Sequence, residues 1–507
     1  MIDKTLIFFI DGASWDLLEP WISDGELPVI KNIRESSAWG NLKSVIPTTT
    51  NIALPSFYFG KDPSRLQIFY LSDSDAFFIN SETLGGHKYF WEILSEHGYK
   101  SLISDLPFTY PIRPFGGALF SGFFTPSGCR DYGYPGDLPL KYPDYPRGGL
   151  EFVNQVYRDK NTILEEEILI TQKRFDAFFG ELKNKEFDVA CFYVGATDLI
   201  SHFLWDKKSE LLKFYKFLDG LLGELADLQY FNNIILASDH GFSQSPSYEF
   251  YVNAWLEKEG FLAWKKGRLS LDFKIKEFLK NNRKLSKLFY QTKYWALYLF
   301  SKRKNTAETS LKKEEKTKKI NVAGTIDIAK SRAYAVGGIL RGRGIRINKE
   351  LVKTEKERDE LISILKNKLS ELRYNGLPAA QLIEDSRRVY SLRDAENFPD
   401  IIFLSKEDFF VEDRFGKNIF CPRKTKSRAT GHHMSSINGI FAWSGKNIKS
   451  GRCGDVSLLD IIPTLLNFYG CPLPSDLSGG VIKEIFTEIP EIKIENKKEE
   501  LLDEIDF

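Results

Sequence analysis

Cysteine is scarce and odd in number. The five residues Cys129, Cys191, Cys421, Cys453 and Cys471 are widely spaced, and no CxxC pair occurs. That excludes a zinc knuckle and offers no disulfide framework, so a reducing, cytoplasmic setting is expected. A charge excess of either sign is also missing. Lysine plus arginine number 70 against 69 aspartates and glutamates, and a net charge of +1 gives no nucleic-acid platform. Long apolar runs are absent as well. The run Leu6 to Ile10 ends at Asp11 and is too short for the apolar region of a signal peptide. "LFYQTKYWALYLFSKRK" (Leu288 to Lys304) is interrupted by Lys293 and cannot span a bilayer. It reads as a buried or cap helix, with an interfacial membrane helix as the lesser alternative. No internal repeat or low-complexity tract is seen.

What is present is ample core-forming material. Hydrophobic residues make up 42% and aromatics 14%, which excludes global disorder. "TLIFFI" (Thr5 to Ile10), "DVACFYV" (Asp188 to Val194) and "NIILA" (Asn233 to Ala237) are apolar without alternation, as fully buried central strands are. Between the last two, Leu211, Phe214, Tyr215, Leu218, Leu221, Leu222 and Leu225 recur at helical spacing and predict a crossover helix. Such alternation of strand and helix is the pattern of an α/β fold. Residues 1–255 are expected to form the first part of this core and 256–325 a basic helical insertion or cap. Residues 326–485, with a helix from about Glu355 to Leu372, complete the core, and 486–507 form a charged mobile tail.

An aspartate closely follows each of the three buried strands: Asp11, Asp198 and Asp239. Open α/β sheets place ligand sites at the carboxyl ends of their strands. Three carboxylates gathered there would repel one another unless a cation lay between them. Histidine points the same way, for four of the six lie in or near such motifs. "DLISH" sets Asp198 and His202 one helical turn apart, "SDHG" places His240 beside Asp239, and "TGHHMSSINGIFAWSG" offers His432 and His433 ahead of another strand. Taken singly, each is ordinary: a DxxxH is usually surface decoration, Asp-His-Gly a common turn, and a His pair a solvated loop. Their joint appearance beside apolar strands is what points to a metal, and the mixture of Asp and His suits zinc or manganese better than calcium. Three aspartates and three neutral histidines carry a charge of −3, which two divalent ions would turn to +1. That suits a two-metal centre with an anionic substrate.

These motifs, in this order, resemble the alkaline phosphatase superfamily, and within it the type I phosphodiesterase/nucleotide pyrophosphatase family, most closely its prokaryotic intracellular members. "FIDGASWDLLEPWISDGELPVIKNI" looks like the family's opening strand. "FWEILSEHGYKSLISDLPFTYP" with "SGFFTPSG" is similar to a central segment, and "YVGATDLISHFLW" and "LASDHGFS" to the second and third metal motifs. "VSLLDIIPTLLNFYGCPLPSDLSGGVIKEIF" looks like the C-terminal segment. The resemblance implies a three-layer α/β/α sandwich around a mostly parallel sheet. It implies that Asp11, Thr50, Asp239 and His240 hold one divalent ion and Asp198, His202 and His433 the other, with His432 in reserve. The ions would be zinc, with manganese as an alternative. The family's nucleophile precedes an element ending in Thr-Gly-x-x-Pro, and counting back from Phe59-Gly60-Lys61-Asp62-Pro63 lands on Thr50. The implied reaction is cleavage of a phosphodiester or pyrophosphate through a phosphothreonine-type intermediate.

The sequence departs from the family pattern around that nucleophile. Thr50-Asn51-Ile52-Ala53 lacks the proline that members carry, and Ser64-Arg65-Leu66-Gln67-Ile68 replaces a histidine-glycine element. Tyr70, Leu71 and Ser72 fill the stretch where nucleotide pyrophosphatases have a phosphoryl-binding asparagine; Asn51 is a candidate substitute. The alternatives are therefore a phosphomonoesterase, a phosphotransferase acting on a phosphorylated headgroup or glycan, and a non-catalytic binding protein on the same scaffold. A sulfatase is disfavoured because Thr50 begins no Cys/Ser-x-Pro-x-Arg motif, and no matching serine motif supports a phosphoglycerate mutase.

Overall fold

The computed structural model describes residues 3–68, 81–82, 84–126, 128–146, 162–265, 326–336, 343–390, 399–413, 416, 418–423 and 429–495. Most of the expected insertion (266–325), the tail beyond 495 and the Tyr70–Ser72 stretch lie outside the described residues.

Strands β1 (Thr5–Ile10), β2 (Ser37–Lys43), β3 (Ser101–Ser104), β4 (Gly117–Phe120), β5 (Gly133–Tyr134), β6 (Val189–Val194) and β7 (Asn233–Ala237) form most of one sheet. The segments Asn438–Ser444, Gly451–Arg452 and Val456–Ser457 complete its ten strands. The order runs from Gly451–Arg452 through β2, Asn438–Ser444, β7, β1, β6, β3 and β4 to β5, with Val456–Ser457 also on β2. β1 lies parallel to both β6 and β7, so that Phe9 is level with Tyr193 on one side and Ala237 on the other. Most pairings are parallel; Asn438–Ser444, inserted antiparallel between β2 and β7, is the main exception.

The predicted strands are buried on both faces, which is why they read as unbroken apolar runs. Successive side chains of β1 enter different cores. Ile7 and Phe9 pack with the helices Thr50–Phe59 and Ile461–Phe468. Leu6, Phe8 and Ile10 pack with the helices Trp15–Ser23, Ile163–Asn184 and Lys208–Asp227. This is the three-layer α/β/α arrangement expected. The crossover helix is Lys208–Asp227, and all seven apolar residues of its predicted stripe are buried.

A second, antiparallel sheet has the order Ala333–Val336, Gly344–Ile347, Ile401–Ser405, Ala380–Asp385. The helix Glu355–Glu371 covers it, starting at a capping box formed by Thr354 and Glu357. Phe250, Trp255, Leu361, Leu365, Ile401 and Phe403 build a core of its own. It meets the main sheet where the site lies: the Tyr390 hydroxyl donates to Ile46 O (2.7 Å), and Gln381 Nε2 donates to Ser435 O (2.7 Å). Cys191, Cys453 and Cys471 are free thiols. Among the described residues, no helix is long and apolar enough to cross a membrane.

Candidate metal centre

Topology brings the predicted residues together. Asp11 is the first residue beyond β1 and Asp239 the second beyond β7, at the carboxyl ends of adjacent parallel strands. Asp198 and His202 stand on the helix Ala196–Leu204, which starts just past β6. Their i, i+4 spacing sets His202 Nε2 3.6 Å from Asp198 Oδ2. His433 arrives from far along the chain, through the pairing of Gly431–His432 with Ser243–Gln244. Glycine makes that approach possible: a Cβ on Gly431 would come 2.4 Å from Ser201 O, and one on Gly241 2.3 Å from Asn438 O. The His433 ring stacks on His240 with centroids 4.0 Å apart, and its Nε2 lies 3.8 Å from Asp198 Oδ1. Thr50 opens the helix Thr50–Phe59, and its Oγ1 is 3.2 Å from His240 Nε2.

Two groups of potential ligand atoms result, each within 4.8 Å: Asp198, His202, His433 and Asp11, Asp198, His240. Asp239 adjoins the second, with Oδ2 3.3 Å from His240 Nε2. Asp198 thus belongs to both. His432 stands outside these groups, its Nδ1 accepting from Met434 N–H at 2.7 Å.

Every histidine in the cluster has its tautomer set by a backbone carbonyl. Nδ1 of His202, His240 and His433 faces Gly431 O (3.1 Å), Gly241 O (3.0 Å) and Thr48 O (2.8 Å). A carbonyl oxygen only accepts, so Nδ1 carries the proton and each Nε2 presents its lone pair to the carboxylates.

The carboxylates lack compensation. Asp11 Oδ1, Asp198 Oδ1 and Asp239 Oδ2 are buried with no donor. Among the described residues, their ion-pair partners are histidines alone. Burial holds the Asp11 carboxyl well above the usual range, and Asp239 and Asp198 push it further. Burial likewise raises Asp198, against the pull of His202 and His240. Burial keeps the His433 imidazole neutral well below its ordinary pKa, helped by His240 and His202. Acceptor oxygens without donors, beside imidazole Nε2 lone pairs, fit a divalent cation.

Residues that the sequence reading did not single out complete the setting. The Tyr193 hydroxyl donates to Asp11 Oδ2, Thr197 Oγ1 to Asp11 O (2.6 Å), and Gly12 N–H to Asp239 Oδ1 (3.3 Å). Phe242 packs against His202 and His433 with centroids 4.9 and 5.6 Å away. Tyr193 could be found only through the register of β6 on β1. Thr197 had a local signal, as the residue next to Asp198.

No curated protein matches this sequence. Among solved structures, human ectonucleotide pyrophosphatase/phosphodiesterase 5 is similar over 96% of this chain and 100% of that one, at 13% identity and a TM-score of 0.49. The family model described as type I phosphodiesterase/nucleotide pyrophosphatase matches residues 5–435, a span running from β1 to just past His433. The chain therefore belongs to the type I phosphodiesterase/nucleotide pyrophosphatase family.

Proposed function

We propose that this family member is a two-metal phosphohydrolase that cleaves a phosphodiester or pyrophosphate bond with Thr50 as nucleophile. One observation carries the reading. Three carboxylates, each with a buried oxygen that has no donor, converge with three Nε2 lone pairs beside the Thr50 hydroxyl. Asp11, Asp239, His240 and Thr50 would hold one ion, and Asp198, His202 and His433 the other, with Asp198 in reach of both. Divalent ions bound there would offset the carboxylate charge, favour ionisation of the threonine hydroxyl and stabilise charge on phosphoryl oxygens. The mixed Asp/His donor set favours zinc, then manganese.

The chain's own part is positional. Thr50 sits at the first turn of its helix, where amide groups lack intrahelical partners and the helix dipole favours an anion. Its Oγ1 forms a bond to phosphorus as the bond to the leaving oxygen breaks, and that oxygen takes the electron pair. Water then attacks the phosphothreonine, the P–Oγ1 bond breaks, and Thr50 regains its proton. Thr50 Oγ1–H points its proton at the His240 Nε2 lone pair, 3.2 Å away. The substrate would be an anionic phosphate-containing small molecule, and few, widely spaced cysteines with no CxxC pair fit a cytoplasmic setting.

The test is to load the purified protein with zinc or manganese and assay bis-p-nitrophenyl phosphate, p-nitrophenyl phosphate and p-nitrophenyl sulfate. Diester hydrolysis should dominate, and Thr50→Ala should lose roughly a thousandfold or more in rate. Equal activity of wild type and Thr50→Ala would remove Thr50 from the chemistry. A preference for the monoester would favour a phosphomonoesterase. No metal uptake and no activity would leave a binding protein.

A further inference from the structure

We infer that Thr48 is a positioning residue that clasps His433 to the segment carrying the nucleophile. The inference rests on the two-metal reading, because its purpose would be to aim one ligand of the second ion. Thr48 is fully buried and makes a reciprocal pair of hydrogen bonds with His433. His433 Nδ1–H donates to Thr48 O at 2.8 Å, and Thr48 Oγ1–H donates to His433 O at 3.1 Å. The first bond selects the tautomer whose Nε2 faces Asp198. The second closes the ring, so the imidazole and the Thr48 backbone move together. Two residues on, the same backbone delivers Thr50 to His240, whose ring stacks on that of His433.

Both halves of the clasp are anchored, one from strands of the second sheet and the other from Tyr390, just past the short helix Ser386–Val389 that follows the strand Ala380–Asp385. Tyr390 holds Ile46 O, just ahead of Thr48. On the other half, Gln381 holds Ser435 O and Ser405 Oγ meets Ser435 Oγ at 3.0 Å. His433 O also receives Ser436 N–H at 2.9 Å, so removing the threonine hydroxyl leaves that carbonyl one donor. The fold should therefore survive Thr48→Val, which keeps the carbonyl that the ring bonds but opens the reciprocal pair that holds the ring in place. Hydrogen bonds of this outer kind typically alter metal affinity 10–100-fold when removed.

Two measurements test this. Long-range 1H–15N correlation on metal-free protein labelled with 15N-histidine should show His433 as the Nδ1–H tautomer, assigned by the peak lost in His433→Asn. Zinc titration should then show one of two sites falling about tenfold or more in Thr48→Val and recovering in Thr48→Ser. An Nε2–H tautomer in the wild type, unchanged zinc affinity in Thr48→Val, or Thr48→Ser as defective as Thr48→Val would each overturn the inference. Should Thr48→Val fail to fold, the wild-type tautomer and the serine variant still decide. A wild type that shows the Nδ1–H tautomer but takes up no zinc supports the clasp and overturns the two-metal reading instead.

Discussion

Asp198 lies within ligand distance of both groups of donor atoms, whereas His202 serves only one. Their losses should therefore differ in stoichiometry. Asp198→Ala is expected to strip both ions, and His202→Ala one of two, when metal content is measured by plasma mass spectrometry after dialysis. Equal loss in the two variants would show that Asp198 serves a single ion. At this scale, much of the candidate site was legible in the sequence. Asp198 with His202, and Asp239 with His240, are local pairs whose spacing already puts them on one face or one turn. Tyr193, Gly12 and Thr48 were not legible as partners of Asp11, Asp239 and His433. Their contacts bridge residues 182 to 385 positions apart, and only strand register and loop approach bring them together.

The elements were legible wherever one pattern dominated. The apolar runs of β1, β6 and β7 and the stripe of Lys208–Asp227 were found because burial on two faces, or on one helical face, leaves a periodic signature. How helices are fastened to strands left no such signature. Arg174, on the helix Ile163–Asn184, reaches Asp105 at the end of β3 with N–O 2.7 Å. Burial lifts the Asp105 carboxyl from 3.8 to about 7; Arg174 opposes the rise and Glu167 adds to it. A raised carboxyl pKa means the folded chain holds more protons than the unfolded chain between pH 4 and 7. The Asp105 contribution is thus most favourable near pH 4 and is lost as pH rises to about 7. At 1.36 kcal/mol per pH unit, the loss is roughly 4 kcal/mol. Urea denaturation should show wild type losing stability relative to Asp105→Asn from pH 5 to 8; a difference independent of pH would contradict the raised value.

Across the whole molecule, the candidate centre ties together β1, β7, the helix after β6, the Thr50 helix and the His433 loop. Ions held there would act as cross-links between parts of the sheet that the chain visits at widely separated times. Chelation with dipicolinate should lower the melting temperature of the entire fold. At a hundredfold excess over the dissociation constant, each ion is expected to add about 2.7 kcal/mol of stability. An unchanged melting curve after chelation would show that the folded protein gains nothing from metal.

By itself the sequence determined the α/β class, the buried strands, the crossover helix and which acidic and histidine residues were candidates. These follow from short-range rules: apolar periodicity, one helical turn between ligands, and carboxylates that need a counter-charge. Tertiary structure alone decided that Asp198 sits between two ligand groups and that backbone carbonyls set all three tautomers, and it turns His433, the histidine the resemblance favoured over His432, into the cluster. It also decided that Tyr390, just past the short helix Ser386–Val389, and Gln381, on the second sheet, brace the segments leading to Thr50 and following His433. Those outcomes depend on register, stacking and loop closure between distant segments, whose energies are written into no local stretch of the chain.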